Sequence, residues 1–277
     1  MERVQVKGAE LEFDVRGAGE PVLLIHGSIV ADAFAPLLAQ DTLTDRYRVI
    51  QYHRVGFAGS AHPGRPVSIA EQAAHADAIL RHLGVRQAHI VGHSYGGAIA
   101  LQLALDVPNR VHSLTVLEPA GLPVPSAPQL FEGIGAIAQL YAAGDKDGAT
   151  AGFLQAMLGP EYRTEVPGAP LPAGWYEQAV REIDTFFRWE VPAMQQWSFT
   201  QKDAGAIKQP VLSVLGSESD AIWPGFGEGH QLLQQWIPQA EAFVLPNANH
   251  GLQMMNPRGL AEGLTGFFAR HPLTVPA

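Results

Sequence analysis

The feature that most constrains this chain is the stretch "HIVGHSYGGAIALQLAL", residues 89–105, where an apolar strand pattern gives way at one serine to an alanine- and leucine-rich segment at helical spacing. A strand that turns sharply into a helix strains the residue at the turn. It closes only if the neighbours lack a Cβ. Gly92 and Gly96 stand at those places around Ser94. The predicted result is an exposed hydroxyl at a helix N-terminus, where unpaired N–H groups and the helix dipole favour developing negative charge. A plain N-cap serine would also satisfy G-x-S-x-G; a strand before it and a helix after it separate the two readings.

The flanking sequence has the same alternation. "ELEFDVR" (10–16) alternates as a half-buried strand, and "PVLLI" (21–25) is a continuous run suited to a buried one. "YRVIQY" (47–52) and "VHSLTVLE" (111–118) read as strands, and residues 69–84 as a helix stopped by Gly84. Strands alternating with helices predict an α/β fold, a mostly parallel sheet covered on both faces. The alternation stops at Pro119, and 121–208 is rich in Pro and Gly with helical patches such as "GWYEQAVREIDTFFRWEV". It resumes with strands at 210–216 and 241–246 and helices near 227–237 and 256–270. The expected organisation is a core of 1–120 and 209–277 carrying an inserted helical cap, 121–208.

Composition narrows the function. The 277 residues include no cysteine, which excludes disulfides and thiolate nucleophiles, and the eleven histidines lack the close spacings of common metal motifs. A formal charge of −9 with no Lys/Arg-rich run gives no electrostatic footprint for nucleic acid. The N-terminus lacks a basic region followed by an apolar one, and no apolar run suits a membrane span. The expectation is a cytoplasmic monomer or homodimer acting on a small molecule without metal or cofactor.

Two further stretches join the serine. "LLIHGS" places His26-Gly27-Ser28 at a strand end, and "LPNANHGL" places His250 just after the last strand. With the elbow serine and the cap insertion, in this order across nearly the whole chain, the sequence resembles the α/β-hydrolase fold family. The resemblance implies Ser94 as nucleophile, His250 as general base, and the backbone N–H groups of Ser28 and Tyr95 as oxyanion donors. The chemistry agrees, since a serine hydroxyl is a weak nucleophile until a base such as histidine takes its proton. In "YHRVGFAGS" (52–60), members of the family often carry Asp where this chain has His53. That loop is expected to shape the entrance rather than supply a catalytic histidine.

The acid is open between two residues. Most relatives place it three residues beyond the glycine ending the strand after the cap, which here is Ser219, with Asp220 one place late. Others carry it at the end of the strand following the nucleophile helix, where this chain has Glu118. A carboxylate ending a buried apolar strand requires a partner, and the shifted spacing favours Glu118 over Asp220.

The cap is rich in large apolar side chains. Trp189, Met194 and Trp197 do not fit one helical face because Pro192 interrupts them, so they are candidates to line a substrate pocket. No carboxylate or phosphate clamp is evident, although Arg54 or Arg188 is placed to supply one. The expected activity is hydrolysis of apolar or aromatic esters or lactones through an acyl-enzyme. Carbon-carbon bond hydrolysis of a diketone-type substrate and a non-catalytic small-ligand receptor are the alternatives. Epoxide hydrolase and dehalogenase chemistry is disfavoured, because such relatives usually place Asp at the elbow.

Overall fold

A computed structural model describes residues 1–160, 162 and 171–273, so residues 161 and 163–170 of the expected cap and the last four residues of the chain lie outside the described residues. Eight strands form one sheet: β1 Glu2–Val6, β2 Ala9–Arg16, β3 Glu20–Ile25, β4 Tyr47–Tyr52, β5 Ala88–His93, β6 Val111–Leu117, β7 Val211–Gly216 and β8 Ala240–Leu245. Their spatial order is β1-β2-β4-β3-β5-β6-β7-β8. The pairs β1/β2 and β2/β4 are antiparallel and all others parallel. β1 is an addition to the expected strands. The 10–16 and 21–25 strands, successive in sequence, are separated in the sheet by β4.

Strand periodicity divides the core between the two faces. In β3, Leu23 and Ile25 join Ile90, Ile99 and Leu233 on one side. Val22 and Leu24 join Val91, Val214 and Leu264 on the other. The helices Ile69–His82, Tyr95–Asp106 and Gly225–Trp236 cover the first face, and Pro257–Arg270 covers the second. Ser68 accepts the Glu71 N–H at the start of the 69–82 helix, and Asn256 accepts the Gly259 N–H at the start of the last one.

Between β6 and β7 no strand occurs among the described residues. The segment folds as helices Ala127–Ala142, Lys146–Leu158 and Trp175–Thr185, a π-helical turn Phe186–Glu190, and helices Val191–Gln196 and Gln201–Ala204. Leu154, Ala179, Ile183 and Phe186 pack against Ile29, Val30 and Ala33 of the loop after β3, which seats this helical layer above the C-terminal end of β3. Phe199, Ala204 and Ile207, by contrast, pack into the core beneath the sheet. The expected break at Pro192 is a correction. The backbone stays helical from Trp175 to Gln196, and Pro192 begins a new helix where its missing N–H is harmless, just after the wider turn.

Candidate active site

From Ala88 to Leu101 every residue is buried except Ser94. Ser94 has φ 53° and ψ −118°, an unfavourable conformation for an L-residue, and joins the end of β5 to the helix Tyr95–Asp106. Close packing enforces it. A Cβ on Gly96 would stand 2.1 Å from the Ile25 carbonyl oxygen, and one on Gly92 would stand 2.3 Å from that of Gly96. The loop after β3 lies as close, since a Cβ on Gly27 would stand 3.1 Å from that of Ser94. In the same loop Ile29 has φ 69°, a costly value for a β-branched residue.

The elbow is tied to the end of β6. Ser94 N–H donates to the Leu117 carbonyl (3.0 Å), and the Ser94 carbonyl accepts from Ala120 N–H (2.9 Å). Between these anchors lies Glu118, also at positive φ (44°), with a fully buried side chain. Its Oε1 accepts from Gly216 N–H (2.7 Å) and from the Ser219 hydroxyl, and its Oε2 lies 2.7 Å from His250 Nδ1. A carboxylate only accepts, so Nδ1 carries a proton, and in the neutral imidazole the lone pair is on Nε2. The Phe226 ring stacks on the imidazole at 4.3 Å, and Nε2–H of His93 donates to the His250 carbonyl (2.8 Å). His93 accepts at Nδ1 from Gln253 (3.1 Å), and burial, reinforced by His250, holds its pKa well below the ordinary histidine value. His93 is therefore a neutral support for the backbone of His250. It stands inside the "GHSYG" motif, the one sequence cue to its position.

Asp220 is elsewhere engaged. Its Oδ1 accepts from Gly227 N–H (2.8 Å) near the start of the helix Gly225–Trp236. Ser219, at the position where most relatives carry the acid, instead donates to Glu118. His53 is buried between Glu12 (2.8 Å) and Asp32 (3.1 Å). Burial lowers its pKa, but the hydrogen bonds to Asp32 and Glu12 outweigh burial and raise it.

A cavity of about 450 Å³ opens over the elbow, lined by Ser28, Ser94, Tyr95, Glu118 and His250 on the sheet side. Leu122, Val124, Ile134, Phe186, Met194 and Trp197 stand on the helical side. A narrow cleft of about 30 Å³, walled by Val30, Ala33, Leu154 and Met254, meets Ser94 and His250 from another direction. Ser94 thus faces one roomy and one tight apolar space. The structure places Met194 and Trp197 at the cavity, but not Trp189, whose ring packs toward Gly56 in the loop after β4. The wide turn rotates Trp189 away, which a regular 3.6-residue repeat does not foretell.

The arginine expectations also change. Arg54 is 1% exposed and committed to protein partners: it donates to the His26 and Gly27 carbonyls, to Gln72 and to Glu190. Arg188 is exposed and donates to the Tyr141 hydroxyl. Neither lines the cavity, nor does any other cation among the described residues. Glu190, which the sequence did not single out, does line it. No group of three or more His, Asp or Glu among the described residues is arranged to hold a metal ion, and no described helix is long and apolar enough to cross a membrane.

RutD of Azorhizobium caulinodans, named as a carbamate hydrolase, is 38% identical over 110 residues, a match spanning 39% of this chain and 41% of that protein. The 2-hydroxymuconate semialdehyde hydrolase of Pseudomonas putida is 29% identical over 263 residues, 92% of this chain and 89% of the relative. The enol-lactonase of Burkholderia xenovorans LB400 superposes with a TM-score of 0.80 over 97% of this chain and 100% of its own, at 19% identity, a likeness of fold. The family model described as alpha/beta hydrolase fold matches residues 20–257. The chain is a member of the alpha/beta hydrolase fold family.

Proposed function

We propose that the protein is a serine hydrolase cleaving carboxylic esters or lactones of apolar or aromatic small molecules through an acyl-enzyme. The observation that carries this reading is the partly exposed, strained Ser94, opening into the same cavity as a His250 whose Nδ1 is held by Glu118 at 2.7 Å. Ser94 Oγ attacks the carbonyl as His250 Nε2 takes its proton. The backbone N–H groups of Ser28 and Tyr95 stabilise the oxyanion. Such a donor supplies on the order of 3 to 4 kcal/mol of transition-state stabilisation. Collapse expels the alcohol with the proton returned by His250, and water, activated by the same nitrogen, releases the acid. Glu118 keeps Nδ1 protonated and balances the imidazolium.

The apolar lining of the 450 Å³ cavity supports an uncharged, apolar group on one side of the scissile bond, and the tight cleft a small group on the other. The Pseudomonas putida relative is named for a semialdehyde rather than an ester. That similarity favours a second reading, carbon-carbon hydrolysis of a diketone-type substrate. Where such a substrate is acidic, this reading needs a cation, and none lines the cavity among the described residues.

A hydrolysis screen over aryl esters, alkyl esters, lactones and diketones tests the proposal, alongside fluorophosphonate labelling of wild type and Ser94→Ala. We expect ester or lactone turnover and labelling in wild type, and loss of both in the variant. Absent labelling with retained ligand binding would instead identify a receptor.

A further inference from the structure

We propose that Oε2 of Glu190 is a specificity-determining acceptor, taking a hydrogen bond from a neutral N–H or O–H group that the substrate carries away from its scissile bond. This rests on the hydrolase reading and specifies the substrate further. Glu190 lines the large cavity and is 2% exposed. Its Oε1 accepts from Arg54 Nη2 at 2.6 Å, but Oε2 is buried and has no hydrogen-bond partner among the described residues. A buried acceptor left unmatched is costly, and the exceptions in folded proteins call for a reason.

Arg54 does not supply the missing bond by pairing through two nitrogens, as guanidinium and carboxylate frequently do. Its Nε is bonded to the His26 carbonyl, its Nη1 to Gln72 and its Nη2 also to the Gly27 carbonyl. Swinging toward Oε2 would strip donors from the loop that packs on Ser94. Glu190 lines the cavity and Oε2 is itself shielded from water, so the missing donor is one that a substrate brings as it packs against this wall. Arg54 already balances the charge of Glu190, so an uncharged donor fits and an ammonium would leave an excess positive charge in a dry site.

The surroundings make Oε2 conspicuous. The indole N–H groups of Trp197 and Trp223 are committed to Gln102 and Ser126. Apart from the residues around Ser94 and the solvent-exposed Gln195, the described wall is otherwise apolar. A few placed polar groups in an apolar pocket set ligand orientation. The turn carrying Glu190 has the local geometry common at functional sites: the π-helical stretch Phe186–Glu190 brings Phe186, Glu190 and Val191 to one cavity wall.

The test uses p-nitrophenyl esters carrying a secondary amide N–H in the acyl chain, each matched to its N-methylated form, with a second series carrying the amide in the alcohol part. The readout is the ratio of kcat/KM within each pair. In wild type we expect the N–H member of one series to be favoured by roughly tenfold or more, as for a hydrogen bond to a charged acceptor. Glu190→Gln keeps an oxygen for Arg54 but presents an NH2 at the second position, and the ratio should fall to about one or below. The favoured series shows which side of the scissile bond the cavity holds. Equal ratios in both proteins, in both series, would overturn the proposal. Should no ester turn over, binding of the matched amides to Ser94→Ala and to Ser94→Ala/Glu190→Gln, read by tryptophan fluorescence, still decides it. Discrimination present in the first and lost in the second supports Glu190 even if the hydrolase reading fails, and equal affinities reject it.

Discussion

One backbone angle at Glu118 decides where the charge of the site lies. At φ 44° a non-glycine residue pays on the order of 1 to 3 kcal/mol, and hydrogen bonds on either side, from Ser94 to Leu117 and from Ala120 to Ser94, hold it there. The carboxylate then reaches across to Gly216 and Ser219 as well as to His250. Glu118→Gln preserves size but removes the charge opposite the imidazolium, so kcat should fall by roughly 10² to 10⁴. Asp220→Asn keeps an oxygen for Gly227 N–H and should remain within a few-fold of wild type. Steady-state kinetics with thermal melts separate catalysis from unfolding, and a well-folded Glu118→Gln enzyme with ordinary turnover would return Glu118 to a purely structural role. The serine was legible because its glycines and flanking periodicities are local. The carboxylate that meets His250 was narrowed only to two candidates, because chain spacing cannot tell which loop reaches that ring.

Helices between β6 and β7 supply the cavity wall, and there residue type was a better guide than predicted direction. Met194 and Trp197 pack over Gly121, where an added Cβ would lie 2.4 Å from the Met194 sulfur. They therefore sit directly above the loop that follows Glu118. Met194→Ala or Trp197→Ala should change the ratio of kcat/KM between long and short acyl esters by roughly tenfold, since each methylene in an apolar pocket is worth about 1 to 3 kcal/mol. Trp189→Ala should leave that ratio alone and instead cost up to about 3 kcal/mol in stability, through lost packing against the loop after β4. An acyl-length series with denaturant melts compares the three. A shifted ratio for Trp189→Ala alone would contradict the observed wall. Sequence periodicity assumed one helical repeat, whereas the wider turn before Pro192 resets the face.

For the molecule as a whole, the buried histidines set the acid limit. Burial lowers the pKa of His26 and His93 well below the ordinary value, and that of His89 to about 4. Arg54 adds to the effect at His26 and His250 at His93. These groups bind protons more readily unfolded, so the stability they contribute is full above about pH 6.5 and is lost as pH falls below it. By pH 5 each can cost up to about 2 kcal/mol. Glu182 opposes them: burial raises its pKa to about 7, so its contribution is greatest at low pH and is lost as pH rises toward 7. His53, raised by its two carboxylates, acts in the same direction as Glu182. These three histidines, joined by His75 and His230, which burial also lowers, outweigh the opposing groups, and Tm should fall between pH 7 and pH 5, on the order of 10 °C. Glu182→Gln should make that fall steeper. A Tm that holds or rises toward pH 5 would show that these histidines take up protons without unfolding.

The fold class was written in local patterns: apolar strand runs, a helical period resuming after each, and Gly92-His93-Ser94-Tyr95-Gly96 at one junction. Each depends on residues within a few positions of one another, and burial rewards such patterns wherever they occur. Strand order, the meeting of Glu118 with a histidine 132 residues away, and the lone free oxygen of Glu190 depend on pairings distant in sequence. Only close packing of the folded chain decides these, because it alone determines which polar groups find partners and which are left without one.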